Sequence, residues 1–413
     1  MSSVVSPVAI KERLKPMGHP PRYLPGLNGL RFIAASFVVL SHAAQSLVKL
    51  GVLDDIPAVL FDRGAEAVEL FFTLSGFLIT YLLLIEIDRT RTVNIGFFYW
   101  RRVLRIWPLY LGCLAVGLLV MKVAIPRLTS DTHFDFPLLT VLGLSVAFLP
   151  NVASSFYAVG LLTPLWSIGI EEQFYLVWAP LFKVLRRHAL VLILSAVALT
   201  CGYYVGVRRL WTTPDDPGWQ HLLHNLKYHC MAIGALFAYV LHRHLPWWNG
   251  AGLSSPAVQL AAWGFVGVHF LIGIPFVPQD CLSVTASCVY GGLFIHVSSI
   301  GRPLINLERA PLRYLGEISY GIYMFHMYAD YALRFAFSRW QPTWPAAAVS
   351  TLYIGLLALL TVAVASVSFR FIEKPIMSLR NFPLASPRPP AIETTVAGTI
   401  AASRAPKSQQ RAA

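Results

Sequence analysis

Residues Leu27 to His42 read LNGLRFIAASFVVLSH. Nearly every position between Arg31 and His42 is apolar, so the run suits hydrocarbon while carrying two groups that hydrocarbon penalises. Apolar runs of about 20 residues, the length that crosses ~30 Å of hydrocarbon as a helix, recur along the chain. They fall at 27–47, 66–87, 107–125, 166–185, 189–207, 228–242, 257–276, 281–300, 314–336 and 346–370. The runs are continuous and do not alternate with period two, which argues against transmembrane strands. Composition agrees: of 413 residues 56% are hydrophobic and 13% charged, with a mean hydropathy of +0.59. The expected fold class is all-α, a polytopic helical bundle embedded in membrane lipid.

Positive charge sets the expected topology. Lys11, Arg13, Lys15 and Arg22 place the N-terminus on the cytoplasmic side, and Arg89, Arg91, Arg101, Arg102 and Arg105 do the same for the loop after the second run. Lys183, Arg186 and Arg187 require the same side for the end of 166–185, which holds only if the short apolar run 137–150 does not cross. With Arg302, Arg309, Arg313, Lys374 and Arg380 also inside, the expectation is about ten spans with both termini cytoplasmic. Residues 1–22 form a Pro-rich basic segment without a signal-peptide pattern, 23–380 the transmembrane domain, and 381–413 a tail expected to be disordered. The net charge of +13 is read as this inside bias. Nucleic-acid binding is excluded, since no soluble domain presents a basic face. The five cysteines lack metal-type spacing and are read as small buried hydrophobes, so no metal is expected.

Polar groups inside the runs carry the chemistry. At 100° per residue, eleven steps return to about 20° from the start, so Arg31 and His42 share a face roughly 16 Å apart along the axis. Snorkelling of Arg31 and an interhelical hydrogen bond from His42 are the plain alternatives. Glu69, in ELFFTLSGFLIT, lies near the depth of His42, and it or one of Glu171 and Glu172 is expected to orient the imidazole, while Ser75 and Gly76 favour close helix packing. In FFYWRRVLRIWPLY, Arg101, Arg102 and Arg105 meet the membrane where the third run begins. They are either interfacial anchors or an anion site suited to phosphates. WSIGIEEQFYLVW supplies Glu171 and Glu172, about 100° apart on one helix. LGEISYGIYMFH carries Tyr323 and His326, and SFRFIEKP closes the last run with Arg370, Glu373 and Lys374, read as structural pairing. The arginines thus gather toward one end, and His42, Glu69, Glu171, Glu172 and His326 toward the middle and the other end. That layout suits a molecule with phosphates at one end and a reactive group on a long arm, as in a coenzyme A thioester.

Six motifs in order, Arg31 and His42 in the first run, FFTLSGFLIT, RRVLRIWPLY, WSIGIEEQFYL, SYGIYMFH and FIEKP, resemble the acyltransferase 3 family over about Tyr23 to Arg380. The resemblance implies a bacterial inner-membrane O-acyltransferase moving an acetyl or other short acyl group from acyl-CoA to a hydroxyl. The implied acceptors are sugars of O-antigen, exopolysaccharide, peptidoglycan or Nod-type oligosaccharides. It implies acyl-CoA as donor co-substrate with no bound cofactor, Arg31 and His42 as the residues most tied to activity, and Arg101, Arg102 and Arg105 as the matching arginine group. Asn28 stands where many members have Asp, so a role for a carboxylate there is not carried over. From the residues alone, the rival class is a proton-coupled transporter or flippase of lipid-linked glycans with a His and Glu relay. The absence of an evident internal repeat counts against it, and oligomeric state is left open.

Overall fold

The structure, a computed structural model, describes residues 23–56, 63–129, 135–210, 217–299 and 303–379. The readings made for 1–22 and 381–413, and the charges at Arg302 and Arg380, lie outside these residues. Among the described residues there are helices and no strands. The principal ones are α1 (Leu27–Lys49), α2 (Gly64–Thr90), α3 (Ile95–Leu119), α4 (Leu138–Val146), α5 (Leu165–Val184) and α6 (Ala189–Leu210). They continue with α7 (Tyr228–Arg243), α8 (Pro256–Leu271), α9 (Gln279–Ser299), α10 (Ala310–Glu317), α11 (Ser319–Trp340) and α12 (Ala346–Ser368).

Helices occupy all ten expected runs, and six described stretches are long and apolar enough to cross a membrane: Leu27–Lys49, Gly64–Thr90, Ile95–Arg127, Arg186–Leu210, Gln279–Ser298 and Ala346–Ser378. Helix α4 has nine residues, about 14 Å at 1.5 Å per residue, well short of the ~30 Å of a hydrocarbon core. Large apolar side chains such as Leu139, Val184, Leu199 and Leu359 stand outward on the helices, as lipid-facing residues do. Two boundaries differ from expectation. Helix α3 begins at Ile95, capped by the Asn94 side chain accepting from Phe97 N at 3.0 Å, so the three arginines lie inside the helix instead of ahead of it. The run 314–336 is broken at Ile318 into α10 and α11.

Helix α2 has no polar side because it is covered by α1, α7 and α9 together. Its tightest crossing is with α7. A Cβ on Gly76 would strike the Met231 carbonyl, and one on Gly234 would strike the Thr73 carbonyl, so each helix uses a glycine to admit the other's backbone. Ser75 and Gly76 therefore divide their roles: Gly76 packs, and Ser75 faces a cavity. Gly76→Ala is expected to lower stability by about 1–3 kcal/mol through this forced separation. A thermal midpoint in detergent unchanged from wild type would exclude the close crossing.

Helix α1 is held from two sides. Leu27, Leu30, Ala34 and Val38 belong to the main core with α2, while Ala35, Val39, Ala43 and Leu47 join Ile322, Ala329, Tyr353 and Leu357 of α11 and α12. The stripe carrying Arg31 and His42 is thereby fixed between these packed faces. Of the cysteines, Cys113 and Cys230 are buried as expected, but Cys281 and Cys288 are exposed. Their weakly polar thiols can lie on an apolar outer surface as readily as in a core.

Candidate active site

Two connected cavities open at the end of the bundle where α1 begins. An inner chamber between α1, α2, α3, α5 and α11 offers about 100 Å³ to the centre of a water-sized sphere. An outer vestibule, bounded by Tyr23, Asn28, Glu317 and Glu373, offers about 310 Å³. Arg31, Arg102 and Arg105 line both. Arg102 and Arg105, three apart on α3, point the same way, as i,i+3 residues do. Among the described residues none of these three guanidiniums makes an ion pair or a hydrogen bond. The vestibule rim is ordered by Glu308, which accepts from Tyr23 Oη and Gly26 N at 2.6 Å each. Partial burial, and then the Glu308 carboxylate, push the Tyr23 hydroxyl up to about 12, so it remains a donor at neutral pH.

Arg101 differs from its neighbours. It pairs with Glu86 at 3.5 Å, packs on Phe97, and does not line the chamber. Arg101 does meet Arg102 and Arg105 at a further cavity between α2 and α3, which Glu86 also lines, while only Arg102 and Arg105 reach the chamber and the vestibule.

One carboxylate faces the three arginines in the chamber. Glu171 accepts from Ser75 Oγ and Tyr175 Oη, both at 2.9 Å, and Tyr175 also carries the Arg102 guanidinium on its ring at 5.0 Å. Glu172 turns away to Trp107 Nε1 at 3.3 Å, and its second oxygen is buried without a partner among the described residues. The two adjacent acids diverge as their 100° separation requires, and neither is hydrogen-bonded to His42. At the vestibule, a π-helical turn, Phe369–Glu373, swings Glu373 inward, where it accepts from Ser368 Oγ at 3.0 Å. It faces the cavity beside Arg105, a correction to its reading as a structural partner of Arg370 and Lys374.

Beyond the chamber lies a pair of imidazoles. Tyr323, on the chamber wall, shares a 2.7 Å hydrogen bond with Ser167 Oγ, and its ring lies 5.8 Å from that of His326. His326 in turn faces His42 at 5.0 Å between ring centroids. His42 Nδ1 lies 3.0 Å from the Val38 carbonyl and His326 Nδ1 lies 2.7 Å from the Tyr323 carbonyl. A carbonyl only accepts, so both Nδ1 atoms carry the proton and both Nε2 atoms keep their lone pairs. His326 Nε2 is buried and has no partner among the described residues.

Glu69 is absent from this pair. Its Oε1 accepts from Lys227 Nζ at 2.7 Å in a buried ion pair, beside the His229 to Ser283 hydrogen bond. The expected orientation of His42 by Glu69 is therefore corrected: a lysine 158 positions later takes the carboxylate. Two buried polar groups escaped the sequence reading: Lys227, the partner of Glu69, and Asp330, near the imidazole pair, whose only signal was its spacing of four residues after His326.

A family model described as an acyltransferase domain matches residues 24–370. The chain belongs to the acyltransferase 3 family. Its similarity to a peptidoglycan O-acetyltransferase, OatA, of Listeria monocytogenes is 28% identity, covering 86% of this chain and 56% of that protein. An O-acetyltransferase OatA of Staphylococcus aureus is 24% identical, covering 88% of this chain and 59% of that protein. This acyltransferase 3 chain thus spans little more than half the length of these relatives. No solved structure matches it.

Proposed function

We propose that this protein is a multi-pass inner-membrane O-acyltransferase that moves an acetyl or other short acyl group from acyl-CoA to a hydroxyl of a glycan. The observation that carries the reading is the set of three guanidiniums without an ion pair among the described residues, Arg31, Arg102 and Arg105, in a cavity whose wall residue Tyr323 stands 5.8 Å from the ring of His326, the neighbour of His42. Guanidinium forks suit phosphate oxygens, and none of the three is held in an ion pair by Glu171 on the chamber wall or by Glu317 and Glu373 on the vestibule wall. The family and the names of its relatives support acyl transfer to a sugar acceptor. In the proposed topology of about ten spans, with both termini cytoplasmic, the arginine end faces the cytoplasm, where acyl-CoA is made.

The CoA phosphates sit on the three arginines, and the pantetheine arm carries the thioester past Tyr323 toward the imidazoles. His42 Nε2 takes the proton of the acceptor hydroxyl as its oxygen bonds to the thioester carbonyl carbon. Collapse of the adduct breaks the C–S bond, and the thiolate leaves with the proton returned by the imidazolium. His326 Nε2, also free, can pass that proton on.

Purified protein in nanodiscs, given labelled acetyl-CoA and a peptidoglycan or oligosaccharide acceptor, should release thiol and label the glycan. Acceptor-independent inertness toward every acyl-CoA tested would overturn the reading. Arg31→Ala and Arg105→Ala should each raise the KM for acetyl-CoA about tenfold or more, since a charge-assisted contact contributes roughly 1.5–3 kcal/mol. An unchanged KM in both would remove the arginines from donor binding.

A further inference from the structure

The histidine pair has a second rung beneath it. Ser46 lies four residues after His42 on α1, and Asp330 four residues after His326 on α11, so each is on the face of its histidine one turn along. Ser46 Oγ donates to Asp330 Oδ2 at 2.6 Å, while the imidazoles meet at 5.0 Å. A third helix joins through Tyr353 of α12, whose hydroxyl reaches Asp330 Oδ1 at 2.8 Å. Asp330, Ser46 and Tyr353 are all buried. Each carboxylate oxygen has a hydroxyl donor, so an ionised Asp330 is hydrogen-bonded on both sides.

A buried carboxylate is costly, and an asparagine or leucine would fill the same space without a charge. The groups that interact electrostatically with Asp330 are few. From α1 there are His42 and Lys49, from α11 Arg334, and from α12 the hydroxyl of Tyr353. Lys49 is exposed and lines a surface pocket, and the Arg334 guanidinium lies 4.1 Å from the Tyr331 ring centroid. The cations therefore lie on the outward side of Asp330 and the imidazoles on the inward side.

Resting on the acyltransferase reading, we propose that Asp330 is the positioning residue of the His42–His326 pair. Through Ser46 and Tyr353 it locks α1, α11 and α12 in the register that brings the two rings to 5.0 Å between centroids. Its fixed negative charge, one turn from the rings, stabilises the imidazolium formed when the acceptor proton is taken. It acts across a helical turn and touches no substrate.

The test uses the full-length protein in nanodiscs with acetyl-CoA and a glycan acceptor, comparing wild type, Asp330→Asn, His326→Gln and the double variant. Asp330→Asn should lose about tenfold or more in kcat while its KM for acetyl-CoA stays within about twofold, a split that loosened packing does not produce. Combined with His326→Gln, it should cost no more than His326→Gln alone, because both act on one imidazole pair. A wild-type kcat in folded Asp330→Asn, or losses that multiply in the double variant, would overturn the role. If Asp330→Asn does not fold, Tyr353→Phe removes one donor and keeps the charge; its kcat should fall several-fold, and an unchanged kcat overturns the role equally. Inert wild-type protein overturns the acyltransferase reading itself, whereas active wild type with an unaffected Asp330→Asn overturns this inference only.

Discussion

His42→Ala is expected to lower acyl transfer by about 10²–10⁴-fold, the usual range for loss of a general base, with little change in the KM for acyl-CoA. The argument rests on the tautomer. Val38 supplies a carbonyl to Nδ1, so the imidazole holds its proton there and offers Nε2 as a base with no carboxylate hydrogen-bonded to the ring. Nothing else in the protein hydrogen-bonds that ring among the described residues, and the side chain is half-buried. The alanine variant should therefore fold, with a gel-filtration profile like that of wild type. The donor cavity is spared, because His42 does not line it. His326→Ala should also lose activity but less, since its neighbour keeps the base. Full turnover by a folded His42→Ala would sink the base assignment, and a raised KM with intact kcat would move His42 from chemistry to binding.

The stripe of Arg31 and His42 was legible in the sequence because it depends only on helical phase. Helix α1 starts within its expected run, and 100° per residue then fixes which residues share a face. The shortness of the apolar stretch in 137–150 was equally legible, and it forms only the nine-residue helix α4. Partners across helices were not legible. Glu69 and Lys227 are 158 positions apart, Ser46 and Asp330 284 apart, and no local rule relates such pairs. The start of α3 could have been read: Asn94 is a capping residue, but the polar stretch around Trp100 to Arg102 disguised the helix as a loop. The break at Ile318 left no trace because apolar periodicity runs through it.

Lys227→Met should be the most destabilising single change outside the cavities, by about 3–5 kcal/mol, the cost of stranding one member of a buried ion pair. Both side chains of the Glu69–Lys227 pair are 6% exposed, and their 2.7 Å contact lies among α2, α7 and α9. Without the ammonium, Glu69 keeps its Ser283 neighbour but has no cation in contact, and the apolar core around α2 cannot solvate the charge. Pairing the change with Glu69→Gln removes the stranded charge. The double variant should recover most of the loss, since neutral replacement of a buried pair is often near neutral. Thermal unfolding in detergent of wild type, both single variants and the double variant measures this directly. Equal destabilisation in the single and double variants would mean that packing around Lys227, not its charge, holds the crossing. The same set decides what Glu69 does: acetyl transfer that survives in the stable double variant makes the carboxylate a structural tie. Loss of transfer there, at wild-type stability, would return Glu69 to the chemistry of the site.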